Sequence, residues 1–387
     1  MIKRILYTLL IMFPVLASAQ INTDRVMAIG RNALYFEDYV LSIQYFNQVI
    51  NAKPYLSDPY FYRGLAKINL DDFQGAESDC SEAIERNPFV VSAYQVRGLA
   101  RIQQNNFAGA IEDYTKALEF DPENIGVWHN MALCRIRQED YKGAKNDLDK
   151  LIAISPRYTK AYLMRGEVDL KQKDTLAAEK DFGKAIEIDR YDADTWASRA
   201  ILRLQQQRYK DAEADFDHAI RLSTRNSGVY INRALARYHQ NNLRGAMSDY
   251  DIALDIDPNN FIGHYNRGLL RAQVGDDNRA IQDFNFVIEM EPDNMMAIFN
   301  RGLLLDQTGD YKGAIKDYST VINEYPNFLL GYQYRAQARR KIGDVKGADA
   351  DEFKVLKAQL DKQNGVDPNK QTADNTENNK TRKKSDK

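Results

Sequence analysis

Proline stands at Pro54, Pro88, Pro122, Pro156, Pro258, Pro292 and Pro326, and every interval between neighbours is 34 residues or a multiple of 34. The same clock places a small residue 24 positions before each proline slot: Gly30, Gly64, Gly98, Ala132, Gly166, Ala200, Ala234, Gly268, Gly302 and Ala336. A third row falls 12 before it, at Ser42, Ala76, Ala110, Ala144, Ala178, Ala212, Ala246, Ala280, Ala314 and Ala348. Three phased rows cannot arise from composition alone, so the chain reads as a stack of near-identical units, each too small to hide its own apolar face. A length of 387 residues would otherwise suggest two or three domains; the repeat implies one elongated module with its core distributed along it.

The residue row within one period reads as a helical hairpin. In residues 57–90 a first helix is predicted near Asp58 to Leu70, a turn at Asp71 and Asp72, and a second helix near Phe73 to Arg86, closed by Asn87 and Pro88. Proline ends a helix by removing a donor and crowding the preceding turn. Gly64 and Ala76 allow the two helices to approach closely, with Tyr60, Phe73, Ala83 and Ile84 filling the space between them.

This pattern resembles the tetratricopeptide repeat, a 34-residue helix-turn-helix unit with an aromatic, a small residue, a turn, an Ala, an aromatic and a closing Pro at fixed offsets. The resemblance covers about 340 residues in ten units beginning at 23, 57, 91, 125, 159, 193, 227, 261, 295 and 329. It implies an all-α fold, a right-handed superhelical solenoid over residues 20–362. Departures are local: Arg190 and Thr224 replace Pro, Thr175 and Asp277 replace the aromatic that opens a second helix, and Ile298 replaces one in a first helix. The tenth unit, with Glu352 at an otherwise apolar position, reads as a solvated end cap.

Residues 1–19 read as an export signal: Lys3 and Arg4 precede an apolar run from Ile5 to Leu16, followed by Ala17, Ser18 and Ala19. A run of about a dozen residues is too short to span a bilayer, which needs about 20. Cleavage between Ala19 and Gln20 would deliver a chain without a transmembrane segment to the periplasm or the exterior. Residues 363–387 shift to Asn, Lys, Asp and Thr and read as a disordered polar tail, with Lys380, Arg382, Lys383 and Lys384 near its end. The formal charge of the whole chain is −2, with no basic stripe of the kind nucleic acid requires. Cys80 and Cys134 fall in different helices two units apart and are expected to remain separate thiols.

A charge ladder runs through the repeat. First helices carry bases four apart, such as Arg63 with Lys67, Arg97 with Arg101, Arg233 with Arg237 and Arg267 with Arg271, which share a helical face. Each second helix from the second unit onward supplies an Asp at one register, among them Asp79, Asp113, Asp249, Asp283 and Asp317. Where one base is missing, at Met131, Asp169 and Leu305, the other is present as Arg135, Arg165 and Arg301. The first unit lacks both base and acid. Arg97 with Asp113, Arg233 with Asp249, Arg267 with Asp283 and Arg301 with Asp317 therefore read as structural ion pairs, although a row of arginines would also suit phosphate or carboxylate.

Little else carries chemistry. His129, His218, His239 and His264 lie in different units or helices without metal-ligand spacing, no phosphate-binding loop ends in Lys-Ser or Lys-Thr, and no serine sits in GxSxG. No cofactor, metal or catalytic group is expected. In the family resembled, the outward positions of first helices contact extended peptides or partner segments. Carried over, these are Phe61 and Asn69, Gln103, His129, Asn232 and His239. They continue as Tyr265, Asn266 and Gln273, then Phe299, Asn300 and Gln307, with Ile231 and a row of Leu residues alongside. Amides offer donor and acceptor together, as a peptide backbone requires. The expectation is a non-catalytic protein-binding scaffold in a bacterial cell envelope; the alternative is an accessory subunit positioning a glycan or peptidoglycan enzyme.

Overall fold

Helices follow one another in pairs because each turn between them is built the same way. The computed structural model describes residues 22–364, among which there are twenty α-helices and no strand. First helices are mostly 13 residues long, as in Val91–Gln103 and Ser227–His239, and second helices 14, as in Phe107–Phe120 and Leu243–Ile256. The signal segment with its cleavage site, and the tail residues Lys380, Arg382, Lys383 and Lys384, lie outside the described residues. No helix among the described residues is long and apolar enough to cross a membrane.

Between the helices of each pair, one residue takes the left-handed conformation: Glu37, Asp71, Asn105, Glu139, Lys173, Gln207 and Asn241, then Gly275, Gly309 and Gly343. The residue after it caps the second helix. Asp72, Asn106, Asp140, Asn242 and Asp310 each accept from the backbone N–H three residues on, satisfying one of the orphan donors of the helix start. The 34-residue spacing of the left-handed residue was not apparent in the sequence, because only the last three units use glycine there.

The small residues admit bulky partners from the second helix. A Cβ on Gly98 would lie 2.9 Å from the Tyr114 ring, and one on Gly166 would lie 2.5 Å from Phe182. The core is a string of clusters, each joining a hairpin to the next first helix: Tyr94 and Tyr114 pack with Val127 and Met131, and Tyr230 and Tyr250 with Leu270. At the junctions the aromatic of a first helix also serves as a donor. Tyr60 Oη, Trp128 Nε1 and Tyr162 Oη donate to the carbonyls of Pro54, Pro122 and Pro156 at 3.3, 2.8 and 3.1 Å. In these three units the closing proline leaves a carbonyl that the following unit satisfies.

The chain divides into two compact units, the boundary falling between Tyr191 and Asp192. It follows directly on Arg190, where the sequence lacks its closing proline. Cys80 and Cys134 are free and buried, and burial pushes their thiols up to about 12 and about 11. The last helix, Val345–Gln363, buries only Ala348, Asp351 and Val355 and is otherwise largely exposed. Glu352 is satisfied by Arg340 at 2.7 Å, yet Phe353, Leu356 and Leu360 are exposed on the same helix.

A non-glycine residue in the left-handed region costs about 1–2 kcal/mol, partly offset by the about 0.5–1 kcal/mol of chain entropy that glycine loses on folding. Glu139→Gly is therefore expected to stabilise its unit by about 0.5–1 kcal/mol in urea titration. Gly309→Ala, at φ 94° with open space around the added Cβ, is expected to destabilise through the backbone alone.

Candidate functional site

The arginine row is consumed by the fold on two sides at once. Forward, Arg97, Arg233, Arg267 and Arg301 meet Asp113, Asp249, Asp283 and Asp317 at 2.6, 2.6, 2.8 and 2.7 Å. Backward, the same guanidinium groups donate to the preceding unit: Arg97 to Ser81 at 3.1 Å, Arg233 to Asp217 at 2.7 Å, Arg267 to Asp251 at 2.8 Å and Arg301 to Asn285 at 2.8 Å. The second base adds another bridge between units, Arg101 to Glu77 at 2.8 Å and Arg237 to Glu213 at 2.7 Å. At Asp169 the sign is reversed: the acid in the base slot meets Lys145 at 2.5 Å, and Lys145 holds the register of Glu77 and Glu213. Sequence reading saw only the pair inside each hairpin, and the signal it missed was the polar residue 16 positions before every arginine of this register except Arg199, which has Gly183 there.

The outward face of the first helices is partly spent. In the first compact unit Phe61 is half-buried beside Tyr62, ring centroids 5.0 Å apart. Asn69, expected to face a partner, instead donates to the Leu65 carbonyl at 2.8 Å and closes its own helix. Gln103 is exposed and makes no hydrogen bond among the described residues. His129 is half-buried against Tyr158, whose hydroxyl lies 3.3 Å from Nδ1. Burial and the nearby Lys160 hold its imidazole below the usual range.

In the second compact unit Asn300 donates to the Tyr265 hydroxyl at 3.1 Å, joining two expected site residues of successive units. Tyr265 packs edge-on against Phe284, centroids 5.8 Å apart. Phe299 sits among Tyr318, Phe328 and Tyr334 and lines an apolar cavity of about 320 Å³ with Met296 and Tyr325 at its edge. Ile231, grouped with the outward positions, is buried in the core instead. His239 is exposed and stacks on Tyr209, while Gln273 and Gln307 are exposed and Asn232 and Asn266 half-buried, these four amides without hydrogen bonds among the described residues. No group of three or more metal-ligating residues occurs among the described residues.

Two aspartates of the same register show what the arginines do. Burial raises the Asp147 carboxyl to about 6, because Met131 leaves it Arg135 alone as a cationic partner and one of its oxygens goes unbonded. Burial pushes Asp283 up as well, but hydrogen bonds from His264 and Arg267 and the charges of Arg267 and Arg271 outweigh it and hold the group below the usual carboxylate range. A raised carboxyl binds protons more tightly in the native state, so Asp147 loses stability on the order of 3 kcal/mol as pH rises from 4 to 6. Asp283 contributes in the opposite sense, its stabilisation present above the unfolded pKa and lost as pH falls through the depressed folded one. Asp147→Asn is expected to gain on the native chain in denaturant midpoint between pH 4 and 7, and Asp283→Asn to lose ground as pH rises through the acid range.

Models described as "TPR repeat" match residues 98–134, and "Tetratricopeptide repeat" models match 125–158, 159–192, 198–261 and 265–327, together more than half of the chain. No curated protein matches the chain in sequence. Among solved structures, a tetratricopeptide repeat protein from Parabacteroides merdae is 21% identical, with a TM-score of 0.50 over 64% of this chain and 98% of its own. The C-terminal part of a TPR repeat-containing protein from Cytophaga hutchinsonii is 17% identical, with a TM-score of 0.51 over 61% of this chain and 97% of its own. At these identities the two structures show the fold alone, and it is the fold that the 34-residue clock requires: the chain belongs to the tetratricopeptide repeat family.

Proposed function

We propose that this protein is a non-catalytic scaffold that holds an extended protein segment along the first helices of its repeats, after export into a bacterial cell envelope. The observation that carries the reading is the pair of exposed amides on successive units, Gln273 and Gln307, which the fold leaves without partners among the described residues at the C-terminal ends of their helices, with Gln103 in the same state in the first compact unit. An amide both donates and accepts, so Gln273 and Gln307 on neighbouring units match the alternating groups of an extended backbone. Arg97, Arg233, Arg267 and Arg301 do not compete for that role, since each is neutralised by its Asp and fastened to the preceding unit. His239 with Tyr209, and the cavity beside Phe299, supply apolar and aromatic surface for side chains of the bound segment.

Export rests on the sequence of residues 1–19. Intact mass of the chain purified from its own cell envelope is expected to begin at Gln20; a chain retaining Met1 in the cytoplasm would remove the envelope from the reading. For binding, the Gln273→Ala, Gln307→Ala double variant alters only exposed side chains and is expected to keep the native melting temperature. Crosslinking and affinity capture from envelope fractions are expected to lose proteins held by the native chain. Full retention of every captured protein by that variant would place the partner surface elsewhere.

A further inference from the structure

The two ends of the repeat array depart from the register in ways that match each other. At the last helix, Val345–Gln363, Phe353 occupies the position of Ser81, Asp217 and Ser319, which accept from the arginine of the following unit. Phe353 is 69% exposed. Leu356 is 57% exposed, whereas Leu254 and Ile322 at the same register are 6% and 3% exposed beneath the next unit. Where earlier units close on a proline such as Pro326, the last helix continues and adds Leu360, also 57% exposed. Spacings of three and four place the three residues in one stripe.

The first helix, Thr23–Tyr35, carries the complementary replacements. Ile29, exposed, stands where later units place the arginine that reaches back to the Ser81 register, as Arg97 and Arg335 do. Val26 stands where Tyr60 and Trp128 donate to the proline carbonyl of the unit before. Most junctions inside the chain use an arginine on a polar acceptor, as Arg97, Arg233 and Arg335 do, and several add an aromatic donor on a proline carbonyl, as Tyr60, Trp128 and Tyr162 do. The two ends offer instead Ile29 for Phe353 and Val26 for Leu360, apolar for apolar in both cases.

We propose that the last helix of one copy receives the first helix of a second copy, continuing the repeat junction from chain to chain. After Gln363 the sequence turns polar, with Val366, Pro368 and Ala373 nearly all its apolar residues. A heterologous contact of this kind buries both unpartnered ends with one interface. Arg25 limits its strength: it occupies the register at which later units bury Ala93, Ala161 and Ala297, so its charged head must be carried out to solvent over Leu356.

The test uses the chain from Gln20 through Lys387 in sedimentation velocity and in crosslinking with a short bismaleimide. Cys80 and Cys134 are buried and give little background. Mixing Ile29→Cys with Phe353→Cys is expected to yield crosslinked pairs, while either variant alone yields none. Phe353→Glu is expected to abolish association with an unchanged circular dichroism spectrum, and Arg25→Ala to tighten it. Crosslinking of Phe353→Cys alone would mean that last helices pair with each other, and a monomer up to millimolar concentration would mean that the ends do not meet; either result overturns the proposal.

Discussion

Most repeats depend on a guanidinium that their own hairpin cannot satisfy. Arginine carries five N–H donors in a planar fork. The Asp of the same hairpin takes the forward part of that fork, as Asp249 does from Arg233 at 2.6 Å, and the remainder reaches Asp217 of the unit before at 2.7 Å. Burying such a charge is tolerable only when its hydrogen bonds are complete, and breaking a buried pair strands a charge at about 3–5 kcal/mol. Stacking is thus a condition for satisfying the polar core as well as for burying the apolar one. The swapped pair Lys145 with Asp169 shows that the register, not the sign of either residue, is what the fold maintains.

The same logic accounts for the places where the array changes. Asp147, with one guanidinium in place of two, becomes a carboxyl that favours its protonated form, while Asp283, with three cationic or donor groups around it, favours the charged one. The boundary between the compact units lies at residues 191 and 192, after Arg190 in a proline slot and close to Gly183, which has no side chain to offer at the register of Ser81 and Asp217. The free ends lack the arginine and its acceptor altogether, and apolar residues stand there instead.

Because the arginines are spent on structure, the surface open to a partner is narrower than the outward positions of the first helices. Asn69 is turned back on its own helix, and Asn300 with Tyr265 forms a link between units. Neither is legible in a sequence, since a terminal amide reads the same whether it faces a ligand or its own carbonyls. Gln103, Gln273 and Gln307 remain free of such partners, which makes them the most informative positions for mutation.

The sequence by itself determined the unit, its two helices, its small-residue contacts and the existence of an acid for every base, because each of these recurs at a fixed interval and periodicity is visible along a chain. The tertiary structure alone decided which unit each arginine reaches back to, which aromatic satisfies the proline carbonyl, and which amides are left over. Those pairings join residues 6 to 35 positions apart that meet only once one hairpin leans on the next. The left-handed turn residue belongs to the same class: Glu139 and Lys173 hold a conformation suited to glycine because the packed helices on either side impose it.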